Sequence, residues 1–218
     1  MAERGRPGTT TAPAVRADVA RRVAGWAAAG CGLAGAVAVT VAVVAGPGPD
    51  FTRYVSETGI DGSGHAATYR IGILALAGSL LLLAAALPAG VWAAPALLAA
   101  GAVCTAVSGT VTCSTGCPLP PFERATLADL VHGGASIAAT ASVVFAMVAL
   151  AVSGPAGRAV RRLAGAAAAL SLPLCATVGL AMLIVGRGAT VAVLERLILA
   201  IAILWGLTTA TALALTRR

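Results

Sequence analysis

The sequence contains no lysine, and only 11% of its 218 residues are charged and 4% aromatic. So little charge beside 59% hydrophobic residues excludes a water-soluble globular domain and an intrinsically disordered chain alike. Five cysteines are too few for a secreted scaffold built on disulfides. The formal net charge of +7 resides wholly on arginine. Without soluble surface to form a basic patch, or aromatics to stack on bases, it does not point to nucleic acid. An Ala/Gly/Arg bias of this kind is a mark of GC-rich coding, so the alanine runs carry little functional meaning.

What the chain has instead is length of apolar sequence, with a mean hydropathy of +0.93. A spanning helix needs about 20 apolar residues to cross roughly 30 Å of hydrocarbon. Six such stretches occur, at about residues 23–45, 71–89, 92–112, 130–152, 163–186 and 193–215, and each is bounded by arginine, proline or glycine. From Ile71 to Thr112 there is no charged residue over 42 positions, enough for two spans, and LPAGVWAAP in the middle supplies a hairpin. The expected fold is therefore all-α, a polytopic membrane protein with a bundle of six transmembrane helices. The expected domain runs over residues 23–216, with outer loops at about 46–70 and 113–129, behind a polar, disordered cytoplasmic lead-in over residues 1–22. The first apolar run exceeds the 7–15 residues usual for a signal-peptide core, which favours a retained anchor.

The arginines orient this arrangement. Arg4, Arg6, Arg16, Arg21 and Arg22 precede the first span, Arg158, Arg161 and Arg162 follow the fourth, and Arg217 and Arg218 close the chain. With Glu3 and Asp18 these segments sum to +8. The remaining loops carry Arg53, Arg70, Arg124, Arg187 and Arg196 against Asp50, Glu57, Asp61, Glu123, Asp129 and Glu195, a sum of −1. Basic segments stay on the cytoplasmic side, so both termini are expected to be cytoplasmic and the protein to sit in the plasma membrane.

The spans hold almost no ionisable groups, which disfavours a proton-coupled transporter, a voltage sensor or a channel lined by charge. Polar residues gather in the outer loops. The first, PGPDFTRYVSETGIDGSGH, sets Arg53, Ser56 and Glu57 among turn-forming residues. Arg53 is suited to clamp a phosphate or carboxylate, with Glu57 as its resting partner or as a base. A plain cap carrying an Arg53–Glu57 ion pair accounts for the same residues. The second loop reads CSTGCPLPPFERATLADLVHGGAS. Its Cys113 and Cys117 are spaced to close a disulfide on an oxidising face. CxxxC is not a recognised zinc spacing and a metal needs further ligands, for which His132 and His65 are the available imidazoles, so no metal is expected. No cofactor is expected either, since bis-histidine haem would need a second helical histidine.

Thr126 and Asp129 fit the S/T-x-x-acid signature of a helix start. Asp129, His132 and Ser136 also fall on one helical face at i, i+3 and i+7, with His132 about one turn inside the membrane. An Asp129–His132 pair would orient a base beside Ser136, although three residues on one straight helix seldom give attack geometry. Glu195 and Arg196 open the sixth span. The dipole and snorkelling account for them, or Arg196 turns inward to Asp129 or Glu57.

Three elements carry a family resemblance: FTRYVSETG after the first span, CPLPPFERATLADLVHGGAS entering the fourth, and LERLILAIAILW in the sixth. With the six-span layout, the chain over roughly residues 25–215 resembles the bacterial domain-of-unknown-function 998 family. The resemblance implies a six-span membrane protein and supplies no reaction, substrate or cofactor. Its motif positions make Arg53, Ser56, Glu57, His132 and Arg196 favoured site candidates, beside Asp129. Two functions fit. One is a cell-envelope accessory protein that binds a lipid head group or membrane partner at its outer mouth. The other is a membrane enzyme acting on a lipid or isoprenoid head group through His132 with Asp129 or Glu57.

Overall fold

The computed structural model describes residues 12–46 and 53–216. Six α-helices make up the bundle: α1 (Ala12–Ala45), α2 (Ala66–Ala86), α3 (Ala93–Thr110), α4 (Leu127–Val152), α5 (Arg158–Ile184) and α6 (Ala189–Leu215). All six are long and apolar enough to cross a membrane, and no strand occurs among the described residues. Short 3-10 turns at Val55–Gly59 and Gly154–Ala156 sit in two of the connections. Each helix packs on its neighbour in the chain, and α6 closes back on α1 to complete a ring. The result is a multi-pass integral membrane protein.

Large exposed apolar side chains, among them Val37, Leu81, Phe145, Leu183 and Leu204, cover the outside of the ring, as lipid contact requires. Inside, the main core lies in the half of the bundle nearest the chain termini, where Leu83, Leu98, Met147, Leu150 and Trp205 are buried. Small residues set the helix spacing. A Cβ on Gly35 would stand 2.7 Å from the Gly72 carbonyl, and one on Gly72 would stand 2.9 Å from Val39 Cγ2, so α1 and α2 approach backbone to backbone. Gly32 likewise faces Ser79, whereas Gly30 and Gly134 have open space before them.

The beginning of α1 and the end of α6 meet: Arg22 Nε donates to the Ala214 carbonyl at 3.1 Å. Both described ends of the chain thus lie at one end of the bundle, together with Arg158, Arg161 and Arg162 at the start of α5. The helices differ from the expected spans chiefly in starting earlier. α1 begins at Ala12, and an Asp18–Arg21 pair at 3.8 Å lies one turn apart on it. α1 thus includes residues 12–22 of the expected lead-in, and residues 1–11 lie outside the described residues. α4 begins at Leu127 because Thr126 caps it, and α2 begins at Ala66, one turn before Arg70.

Candidate functional site

The opposite end of the bundle carries the α1–α2 connection, the α3–α4 loop and the short α5–α6 turn. The first of these is folded down as a cap. Tyr54, Val55 and Gly59 are buried, and Tyr69 packs so closely under Gly59 that a Cβ there would meet its ring at 2.6 Å. Polar bonds brace the cap internally and tie it to two helices. Val55 N–H donates to Glu195 Oε2 on α6 at 3.0 Å, Tyr54 N–H donates to Glu57 Oε1 at 3.1 Å, and Arg70 on α2 donates to the Gly59 carbonyl at 3.0 Å and to Asp61 at 2.5 Å. Burial pushes the Tyr54 phenol up to about 12, helped by the nearby Glu195 charge and opposed by Arg187.

Glu57 shows how far the loops converge. Its carboxylate, with 10% of the side chain exposed, lies 3.8 Å from the guanidinium of Arg187, in the α5–α6 turn. The same guanidinium donates to the Gly116 carbonyl of the α3–α4 loop. Arg187 therefore joins all three connections. It carries no motif in the sequence, and only the return of α5 and α6 to this end brings it to Glu57. A small cleft beside it is lined by Tyr54, Cys117, Leu119, Phe122, Met182 and Arg187, with the Glu123 carboxylate also on its wall. Arg53 is exposed at the start of the cap, and Arg196 donates to Ala192 O of its own helix at 2.9 Å.

Asp129 is 2% exposed and fully engaged. Oδ1 accepts from Ser114 N–H at 2.6 Å, and Oδ2 accepts from Thr126 N–H at 2.8 Å and Thr126 Oγ1 at 2.7 Å. Ser114 Oγ, 3.0 Å from each oxygen, donates to the same carboxylate. The capping-box reading holds, and the carboxylate also pins the start of the α3–α4 loop. His132 is buried too, but its Nδ1 lies 2.8 Å from the Val111 carbonyl. A carbonyl only accepts, so Nδ1 carries the proton. Ser136 Oγ is taken by the His132 carbonyl at 2.9 Å and by Ser108 Oγ at 2.7 Å. A base oriented by Asp129 beside Ser136 is therefore not what this helix face builds: loop N–H and hydroxyl groups reach the carboxylate first.

His132 meets a different pair. Cys113 and Cys117 are buried, with Cα atoms 5.0 Å apart and their sulfurs at bonding distance. A ring nitrogen of His132 and the two sulfurs lie within 4.8 Å of one another. Ser56 Oγ stands 3.6 Å from Cys117 Sγ, which brings this candidate onto the same cluster. Sequence spacing could not show it, because the loop turns back on itself at Gly116 and Cys117, both with positive φ. His65, at the cap of α2, is not in the cluster.

A family model described as "Protein of unknown function (DUF998)" matches residues 14–212, nearly the whole chain. The chain belongs to the DUF998 family. No curated protein and no solved structure gives a significant match. The family assignment agrees with the resemblance of the loop and span elements and brings no activity with it, so the functional reading of this DUF998 protein rests on its own geometry.

Proposed function

We propose that this DUF998 protein is a non-catalytic component of the cell envelope that holds the anionic head group of a lipid at the loop end of its bundle. The observation that carries the reading is the placement of Arg187. Its guanidinium is 37% exposed on the side chain, is anchored by Glu57 and Gly116, and borders a cleft whose other walls include Leu119, Phe122 and Met182. An arginine matches a phosphate with two parallel donors. Leu180, Leu183 and Ile184 near the end of α5 are exposed apolar residues of the lipid-facing surface. Arg53, exposed on the neighbouring cap, adds a second cation to this end. The charge asymmetry of the two ends supports an extracytoplasmic position for the cleft.

The alternative of a membrane enzyme working through His132 with Asp129 or Glu57 draws no support from Asp129, whose carboxylate is held by Ser114 and Thr126, or from Glu57, which faces Arg187. The test is native mass spectrometry of protein released from nanodiscs of equal anionic and zwitterionic phospholipid. Wild-type protein is expected to retain one anionic lipid per chain, and Arg187→Gln to lose it. Equal retention of both lipids, or retention unchanged in Arg187→Gln, would overturn the reading.

A further inference from the structure

We infer that Cys113, Cys117 and His132, when the two sulfurs are reduced, form a binding site for a thiophilic divalent cation of the zinc type. The ligand atoms are two sulfurs and an imidazole, none of which the head-group reading uses as a contact, although Cys117 also borders that cleft. Two thiolates and one imidazole with an open fourth position are a donor set that zinc takes in proteins. Sequence spacing supplies only two of the three ligands. Folding supplies the third, because α4 carries His132 back past the loop that follows α3, and one of its ring nitrogens then stands with the two sulfurs within 4.8 Å.

Three further features fit a metal rather than a chance meeting. His132 is pre-oriented: with Nδ1 donating to the Val111 carbonyl at 2.8 Å, Nε2 is the nitrogen left with a lone pair, and an outer carbonyl of this kind fixes a ligating imidazole. All three ligands are buried, which protects metal–thiolate bonds from water. Cys117 also lines the cleft beside Arg187, which gives the ion a route in, and Ser56 Oγ stands 3.6 Å from its sulfur. Bonds of about 2.3 Å to each sulfur would set the sulfurs about 3.8 Å apart across a tetrahedral ion.

With the sulfurs at bonding distance the cluster has two chemical states, and only one binds metal. Two equivalents of a small-molecule thiol convert the disulfide to two thiols: the S–S bond gains two electrons and two protons, and the reductant leaves as its own disulfide. Zinc binding then releases both thiol protons to solvent. The site is thereby gated by the redox state of the compartment it faces.

The experiment uses the full chain in detergent, reduced under anaerobic conditions or oxidised, and titrated with Zn²⁺ against a chromophoric chelator. Reduced protein is expected to take one Zn²⁺ per chain and oxidised protein none, a comparison that needs no variant. Co²⁺ in place of Zn²⁺ is expected to give the near-ultraviolet charge-transfer band of thiolate ligation. Zn²⁺ should slow alkylation of Cys113 and Cys117 at least tenfold without changing that of Cys31, Cys104 or Cys175. His132→Ala should weaken binding at least tenfold. No Zn²⁺ uptake by the reduced chain, equal uptake by the oxidised chain, or full uptake by Cys113→Ser/Cys117→Ser would overturn the inference.

Discussion

Ser114 N–H donates to Asp129 Oδ1 at 2.6 Å, and this bond ties the start of the α3–α4 loop to the first turn of α4. Since Thr126 engages the other oxygen, one buried carboxylate holds both ends of the loop that carries Cys113 and Cys117. Asp129→Ala would leave those donors without their acceptor. The expected cost is about 2–4 kcal/mol, since bonds to a charged acceptor contribute roughly 1.5–3 kcal/mol each and are not additive. Reversible unfolding in mixed micelles measures it. A change under about 0.5 kcal/mol would show that water satisfies the loop equally well.

The contact between Gly35 and Gly72 makes a second prediction. Gly72→Ala places a methyl 2.9 Å from Val39 Cγ2 and 3.0 Å from the Gly35 carbonyl, and backbone cannot yield as a flexible side chain does. Overpacking of this kind costs about 1–3 kcal/mol. Gly30→Ala, on the exposed face of α1 with nothing within 4 Å, is expected to be neutral or up to about 1 kcal/mol stabilising. The two variants compared in one unfolding assay check the placement of α1 against α2. Equal effects would contradict it.

Tyr54 makes the pH dependence of the cap explicit. Its phenol is pushed from 10.0 up to about 12 by burial and by the Glu195 charge. An acid whose folded pKa is raised favours the folded state below its unfolded pKa. That contribution is therefore complete below pH 10 and is lost as pH rises from about 10 to 12. In a Tyr69→Phe background, where Tyr54 is the remaining tyrosine, phenolate absorbance is expected to rise near pH 12 while the protein stays folded. A midpoint near 10 would mean that the cap leaves Tyr54 open to water.

The asymmetry of charge between the two ends predicts orientation. Arg21, Arg22, Arg158, Arg161 and Arg162 lie at the end where α1 begins and α6 stops. A reporter fused after the C-terminus is expected to read cytoplasmic, and a single cysteine placed at Asp61, in a chain with its other cysteines removed, to label from outside in intact cells. The opposite labelling would place the Arg187 cleft on the cytoplasmic face.

The fold was legible in the sequence because lipid is a simple solvent. A span must be about 20 residues long and apolar and must satisfy its own backbone, so composition alone marks six helices and no sheet. The capping box at Thr126 and Asp129 was legible for a similar reason, since it needs only residues three apart. The role of His132 was not. Its neighbours on the helix suggested Asp129 and Ser136, and helical spacing says nothing about what a loop brings to the same face.

The sequence by itself determined the class of molecule, the number of spans and the charge difference between the ends, all of which follow from local composition and the cost of burying charge in hydrocarbon. Tertiary structure decided what meets at the loop end. Arg187 reaches Glu57 across 130 residues of chain, and the cysteine pair reaches His132. Both depend on how antiparallel helices return to one end and on a loop that reverses at Gly116, and contacts made by loop reversal and helix packing have no period that a sequence can display.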